Sequence, residues 1–488
     1  MPTPAERIRV VNPAPLRGGG RFVAYWMTAQ RRAGWNFALD RAVELARELG
    51  KPLAVVETLR CDGPYASDRL HAFAVQGMAE NARRLRGRAL YHPWLEPSPG
   101  EEGRFLSALA KEACALVADD WPDPIQPDAL DRTAGSLPVR VEAVDSCGIL
   151  PFRLAARDFA TAFLFRRYAQ RELPRWIERR PAPDPLARAR LPSLPSLPRA
   201  LTRRWPALPA TALARPAPLL AALPIDHQIS PVNANRGGSA AAETRLAEFL
   251  RRRLDRYLDE RSTPDADATS GLSPWLHFGH LGSHQIVAAL LAREKWSPAK
   301  FSKKAGGHRS GFWGVSESAE AFLDQLVTWR EVGFATAAHR PGFRTYDSLP
   351  EWAKETLAAH ASDRRDPVYG REALEEARTA DPLWNGAQRQ LRQDGVIHNT
   401  LRMLWGKKVL EWSRTPREAL ETLLDLNDRY ALDGRDPNSV SGIFWCLGRY
   451  DRPWGPERPV FGKVRYMSSA NTARKVSVRK YLARYGST

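Results

Sequence analysis

Residues 381–388, DPLWNGAQ, and residues 398–412, HNTLRMLWGKKVLEW, carry Trp384, Trp405 and Trp412 in two consecutive stretches of helical composition. On a helix, Trp405 and Trp412 lie seven residues apart and share one face, about 10.5 Å apart along the axis. Arg402 falls one turn before Trp405 on roughly the same side. Such a stripe either faces an ordinary apolar core or lines up rings as an electron path. The second reading requires a redox partner to which the stripe leads. The two stretches, read as helices over 381–394 and 396–413, make the second half of the chain helical.

Flanking segments extend this pattern. In LNDRYALDGRDPN (426–438), Asp433 and Asp436 are placed to accept hydrogen bonds from a heterocycle or to pair with Arg402, although the DG step equally suits a plain turn. In TSGLSPWLHFG (269–279), Ser273 suits an N-cap, Pro274 a first helical position, and Gly271 a close backbone approach. Free N–H groups and serine hydroxyls there suit a phosphate, but most Ser-Pro helix starts bind nothing. Helices are also expected over 244–257, 274–292, 318–335 and 416–426, so 241–488 reads as an all-α domain. From Arg458 onward its tail is basic, with no acidic residue.

The first half reads differently. Residues 22–26 (FVAYW) and 52–59 (PLAVVETL) are short apolar strands, and 37–49 between them has helical periodicity ending at Gly50. Strand, helix, strand at this spacing is a βαβ unit, and 139–144 adds a strand. Residues 1–176 therefore read as a doubly wound, Rossmann-like α/β domain. The GxGxxG fingerprint is missing, so no dinucleotide is indicated there. Residues 181–224 are Pro-rich, almost without acids and without sustained period. They suggest an interdomain connector, 177–240, partly extended as polyproline II.

The 488 residues include 73 Lys plus Arg against 55 Asp plus Glu, a net charge of +18, which favours a polyanionic partner such as nucleic acid. A merely solvated basic surface has the same composition. The four cysteines show no CxxC spacing, which argues against a disulfide framework or zinc site and fits a reducing cytosol. No signal-peptide pattern opens the chain and no apolar run is long enough for a bilayer, so a cytoplasmic protein is expected.

Together, SGLSPWLHFG, TYDSLPEWAKETL, DPLWNGAQ, LRMLWGKKVLEW, LNDRYALDGRDPN and ERPVFGKVRYM resemble, in order, the second half of class II cyclobutane pyrimidine dimer photolyases, in the photolyase/cryptochrome family. VAYWM agrees more loosely with the start of such chains. The resemblance implies a photolyase fold: an α/β antenna-type domain followed by a helical FAD-binding domain. It implies light-driven splitting of pyrimidine dimers in UV-damaged DNA by an electron from reduced FAD. A deazaflavin or folate antenna in the first domain and a monomeric state accompany it.

Position by position, the resemblance assigns Tyr257, Ser270, Gly271, Leu272, Ser273 and Arg330 to the FAD pyrophosphate. Arg402 and Asp433 become the ion pair beside the flavin, Asp436 and Asn399 further cofactor contacts, and Asn427 the residue facing flavin N5. The relay runs from Trp405 through Trp384 to Trp412 at the surface. Trp445, Met403 and Trp329 line the pocket for a flipped dimer, and Arg465 braces the gap left in the duplex. Two positions depart from the family pattern. Gln325 stands where a glutamate is usual, able to donate a hydrogen bond but not a proton, and Asn399 stands where glycine is usual. The Gly-rich stretch GGHRSGFWG (306–314) is a further departure. A cryptochrome-like photosensor is the alternative, and repair of a different photolesion a further one; a DNA-binding module without flavin leaves the ordered Trp and Asp motifs unexplained.

Overall fold

The computed structural model describes residues 2–122 and 129–486. It resolves into two compact units that interleave along the chain: residues 1–154, 173–246 and 272–289 form one, and 155–172, 247–271 and 290–488 the other.

The first unit is built on a six-stranded sheet: β1 (Ile8–Val10), β2 (Phe22–Met27), β3 (Leu53–Leu59), β4 (Leu90–Leu95), β5 (Ala113–Asp120) and β6 (Val141–Asp145). The order is β1-β6-β5-β2-β3-β4, parallel except for β1, which runs antiparallel to β6. β2 and β5 are buried along their whole length, because both faces of the sheet are covered. Phe22, Ala24 and Trp26 point into a core with Trp94 and Phe105. Val23, Tyr25 and Met27 point the other way, against Phe37, Ala42 and Leu45 of α1 (Phe37–Glu48). Asn36 caps α1 by accepting from the Ala38 and Leu39 amides, and Gly50 takes a positive φ of 62° just past its end.

The strand order reverses between β2 and β5, the crevice where nucleotides bind in doubly wound folds. Here the position is taken by a side chain. Asp119 Oδ2 accepts the backbone N–H groups of Thr28, Ala29 and Gln30 at 2.9, 2.8 and 2.8 Å, and Oδ1 accepts the Tyr25 hydroxyl at 2.8 Å. A resident carboxylate thus fills the amide nest that a phosphate would use.

The Pro-rich stretch packs on this unit and is not a free extended linker. Leu186 and Ala189 join one face of the core, Leu197, Leu201 and Trp205 the other. Leu213, Leu220 and Leu223 pack with Ala72, Val75 and Met78 of α2 (Asp68–Leu85). Its leucines recur between prolines without a sustained period, yet three short helices form there, Arg199–Arg204, Ala210–Leu213 and Pro216–Leu220, each burying a leucine against the unit. The single helix expected over 274–292 is two, Ser273–His277 and Ser283–Arg293. They break at Gly279, whose φ is +69° and where a Cβ would collide with the Ala29 carbonyl. Ser273 is the first helical residue, and Leu272 occupies the cap position.

The second unit is helical. Its elements include α3 (Ala162–Trp176, whose residues from Leu173 on belong to the first unit), α4 (Glu317–Leu323), α5 (Arg330–His339), α6 (Pro382–Asp394), α7 (Asn399–Trp412), α8 (Pro416–Tyr430) and α9 (Pro437–Cys446). Asp381, Thr415 and Asp436 cap α6, α8 and α9, each followed by proline at the start of the helix. α7 and α9 cross tightly at Gly406, where a Cβ would lie 2.5 Å from Cys446 Sγ. Asp324–Trp329 joins α4 to α5 as a π-helical segment, so the helix expected over 318–335 widens in its middle. π-helical turns recur at functional sites. The basic tail is folded: Asp265 accepts from the Lys480 and Tyr481 amides and the Ser477 hydroxyl. Among the described residues no helix is long and apolar enough to cross a membrane.

Candidate active site

The three tryptophans of the opening motif meet. Trp384 on α6 lies parallel to Trp405 on α7, with ring centroids 6.5 Å apart and planes at 7°. It meets Trp412 edge-on at 5.5 Å and 71°. The Trp384 indole N–H donates to the Trp405 carbonyl at 3.0 Å, and the Trp405 N–H donates to Gln388 Oε1 at 2.9 Å. Both rings are fully buried. Trp412, expected at the surface, is only 5% exposed. The half-buried Tyr369 stands edge-on to it at 5.1 Å, beside Lys408 Nζ at 5.1 Å. The chain of rings therefore reaches outward through a tyrosine, which no helical spacing could reveal.

A buried polar network begins one turn before Trp405. Arg402 donates to Asp433 at 2.9 Å and to Ser439 Oγ at 3.1 Å. Asn427 on α8 donates to the same Ser439 Oγ at 3.1 Å and to the Gly434 carbonyl at 2.8 Å. Its neighbour Asp428 pairs with Arg344; burial pushes that carboxyl up, and Arg344 opposes the shift. Gly434 lets the Asp433–Asp436 turn lie directly on α8. Asp436 serves as the α9 cap, its Oδ1 accepting from the Asn438 amide at 2.9 Å. Arg344 Nη1 is buried with no hydrogen-bond partner among the described residues. An internal ion pair, a neutral amide and an unspent guanidinium N–H suit a planar heterocycle with both N–H and carbonyl edges, as a flavin has.

The residues assigned to a lesion pocket gather around α9. Met403 and Trp445 are half-buried, and the exposed Arg465 lies over Trp445 at 5.7 Å and over Trp454 at 5.0 Å. Lys407 is fully buried with Nζ 5.0 Å from the Trp445 ring, donating to the Cys446 carbonyl at 2.7 Å. Burial lowers this lysine to about 8, since desolvation penalises the charged form. Gln325 and Trp329, both half-buried, lie on the π-helical segment, and the Gln325 side-chain amide makes no hydrogen bond with the described residues. The helix continuing from them packs on α9 at Gly333, where a Cβ would lie 2.8 Å from Ser441 Oγ.

The phosphate set is more dispersed. Tyr257 is buried and edge-on to Phe249 and Phe322 at 5.7 and 5.5 Å. Arg330 is buried with its guanidinium 4.3 Å from the Phe334 ring. Ser270 is half-buried, and Gly271, exposed, takes a φ of +64°; Leu272 is buried and Ser273 half-buried. Asn399 is exposed at the start of α7, about one turn before Arg402, and makes no hydrogen bond to Arg402, Asp433, Asn427 or Ser439. Gln388 and Ser439, which hold Trp405 and Arg402 in place, escaped the sequence reading. Gln388 had a legible signal, lying one turn after Trp384; Ser439 had none beyond the turn it follows.

Over 481 residues the chain is 34% identical to the deoxyribodipyrimidine photo-lyase of Methanothermobacter thermautotrophicus, covering 98% of each. The chain belongs to the deoxyribodipyrimidine photo-lyase family. Family members from Oryza sativa subsp. japonica (33% over 501 residues, 98% of this chain and 90% of the relative) and Potorous tridactylus (30% over 492 residues, 98% and 84%) agree. No protein-family model matches the chain. Among solved structures, the crystal structure of a bacterial class III photolyase from Agrobacterium tumefaciens superposes with a TM-score of 0.68 at 18% identity, covering 96% of this chain and 86% of that one. That likeness is one of fold, and it bears out the expected α/β unit followed by a helical one.

Proposed function

We propose that the chain is a blue-light-driven DNA repair lyase that splits cyclobutane pyrimidine dimers, with FAD held in its helical unit. A bound, reduced flavin would supply the photoexcited electron; the chain's residues orient, insulate and recognise. Arg402 and Asp433 form a fixed dipole for the heterocycle's polar edge, and Asn427, its N–H groups already given to Ser439 and Gly434, presents its amide without a charge. Tyr257, Ser270, Gly271 and Arg330 are the pyrophosphate contacts that the helical unit supplies in this reading. The Trp405–Trp384–Trp412 array carries reducing equivalents inward.

For the substrate, Met403 and Trp445 form an apolar wall for a dimer of adjacent pyrimidines turned out of the duplex, where unstacking is least costly at a lesion. Gln325 donates an N–H to the dimer without moving a proton, so recognition survives and acid assistance does not. Arg465 and the basic tail hold the opened duplex through its phosphates. The amide nest after β2 is taken by Asp119, so a deazaflavin or folate antenna in the first unit would be anchored without a phosphate at that point. A cytoplasmic monomer completes the reading.

The observation that carries it is the contiguous ring array beginning one turn from a buried Arg402–Asp433 pair, in a chain of this family. The test is repair of an oligonucleotide bearing one cyclobutane thymine dimer, using pre-reduced protein under blue light with a dark control. Light-dependent restoration is expected. Bound, photoreducible FAD without any repair would overturn it.

A further inference from the structure

Between Lys295 and Ser316 the chain carries five Lys and Arg residues and no acid, yet this stretch is built as a rigid ledge. Glu320 on α4 accepts the Gly311, Phe312 and Trp313 amides at 2.6, 2.6 and 3.0 Å. Gln170 on α3 brackets the ledge from the other side, accepting from Gly307 N at 2.7 Å and donating to the His308 carbonyl at 2.9 Å. Trp296, Phe301, Phe312 and Trp313 pack beneath it. Gly307 has a φ of +80°, and a Cβ there would come 3.0 Å from the Phe163 ring, so close packing on α3 requires glycine.

The cations of this ledge are unspent. Lys303, Lys304 and Arg309 are exposed, and none has an ion-pair partner among the described residues. Some exposed arginines of the same unit are neutralised by neighbours, as in Arg364–Asp366, Arg378–Glu372 and Arg417–Asp347, whereas Arg452 and Arg465 share the unpaired state of the ledge. Beside the ledge, Phe163 and Leu164 are 48% and 46% exposed, two of the most exposed large apolar side chains among the described residues. Unpaired cations next to exposed apolar groups suit a sugar–phosphate backbone, which offers charge and deoxyribose together.

One buried guanidinium ties the ledge to the candidate pocket. Arg166 grips Asp324 at 2.6 and 3.1 Å and reaches the Gly307 carbonyl at 3.4 Å. Asp324 immediately precedes Gln325. The ledge therefore abuts the π-helical segment that carries the two residues assigned to the dimer.

We infer that Lys303, Lys304 and Arg309 form a preorganised DNA-backbone contact, a clamp on the duplex flanking the lesion that is separate from the basic tail. The inference rests on the proposed repair activity and locates part of its substrate grip. Because the ledge is held by Glu320 and Gln170 before DNA arrives, little ordering cost accompanies binding.

The test is the salt dependence of binding to dimer-bearing and undamaged duplexes between 50 and 200 mM salt, for the wild type and for Lys303→Gln/Lys304→Gln/Arg309→Gln. Each lost phosphate contact lowers the log–log slope by about 0.9, so three contacts remove about 2.7 and make the affinity lost across that range about 40-fold smaller. Both duplexes should respond alike, and repair of saturating DNA should be unchanged. The charge-conserving variant Lys303→Arg/Lys304→Arg/Arg309→Lys should keep the wild-type slope. An unchanged slope in the neutralised variant overturns the inference, as does a loss of FAD content without a slope change, which would assign the charges to the cofactor. Absence of repair by the wild type at low salt would instead refute the repair activity itself, and the slopes would still decide the clamp.

Discussion

Lys407 sits under the candidate lesion pocket, and replacing it by methionine tests both its charge state and its hold on Trp445. The side chain is fully buried and its ammonium has one hydrogen-bond acceptor, the Cys446 carbonyl. Desolvation brings it from 10.5 down to about 8, a fall worth about 3 kcal/mol against the charged form at about 1.4 kcal/mol per pH unit. Between pH 8 and 10.5 the unfolded chain keeps this proton while the fold has lost it, so alkalinisation favours the folded state of the wild type. Lys407→Met has nothing to titrate there. The difference in unfolding free energy between the two proteins should therefore shift toward the wild type by about 2 kcal/mol between pH 8 and 9.5. Matched urea titrations followed by tryptophan fluorescence at each pH measure it, and changes shared by both proteins cancel. Below pH 8 the wild type alone keeps a cation against the indole, an interaction of about 1 kcal/mol. A fluorescence change of midpoint near 8, absent from Lys407→Met and from Trp445→Phe, should report it. Parallel stability profiles for the two proteins across this pH range, or a wild type that weakens relative to the variant as pH rises, would refute a desolvated lysine at this position.

Trp405→Phe should retain FAD yet block photoreduction of its oxidised form under blue light; normal photoreduction would remove Trp405 from the relay. Tyr369→Phe should slow the build-up of reduced FAD, because the ring that abuts Trp412 would lack a phenolic proton to release; an unchanged rate would make Trp412 the last member. Gln325→Glu should raise the rate of thymine-dimer repair by restoring an acid to the pocket, and an unchanged or lower rate would show that the dimer does not rest against this residue.

Much of the protein was legible because its regular elements obey simple periods. The apolar run at 22–26 falls inside β2, that at 52–59 starts one residue before β3, and the heptad spacing of Trp405 and Trp412 correctly put both on one helix. Spacing within a helix says nothing about a ring that arrives from another segment. Trp384 stacks on Trp405 only because α6 packs on α7, and Tyr369 reaches Trp412 from a loop. Lys407 carried no signal at all. In WGKK (405–408) nothing marks one lysine as buried, and only the α7–α9 crossing at Gly406, one residue before it, places its ammonium under Trp445. The widening of the helix at Asp324–Trp329 is equally silent, since its residues have ordinary helical composition.

The irregular segments follow a different rule, which composition hides. In three places one carboxylate accepts several hydrogen bonds, mostly from consecutive backbone amides, and so fixes a stretch that has no period of its own. Asp119 holds the turn after β2, Glu320 the Gly-rich ledge, and Asp265 the start of the terminal helix. The carboxylate lies 89 to 91 residues from its loop in the first case and 212 to 216 in the third, beyond the reach of any local window. Each bond to a charged acceptor is worth about 1.5–3 kcal/mol, enough for one side chain to set a loop's conformation against its entropy. The consequences for function run in opposite directions. At β2 the carboxylate consumes the amide donors and closes a crevice that the fold would otherwise offer to a phosphate. At the ledge it consumes only the backbone, so Lys303, Lys304 and Arg309 project from a fixed base with their charges unspent. A single device thus withholds one anion site and prepares another.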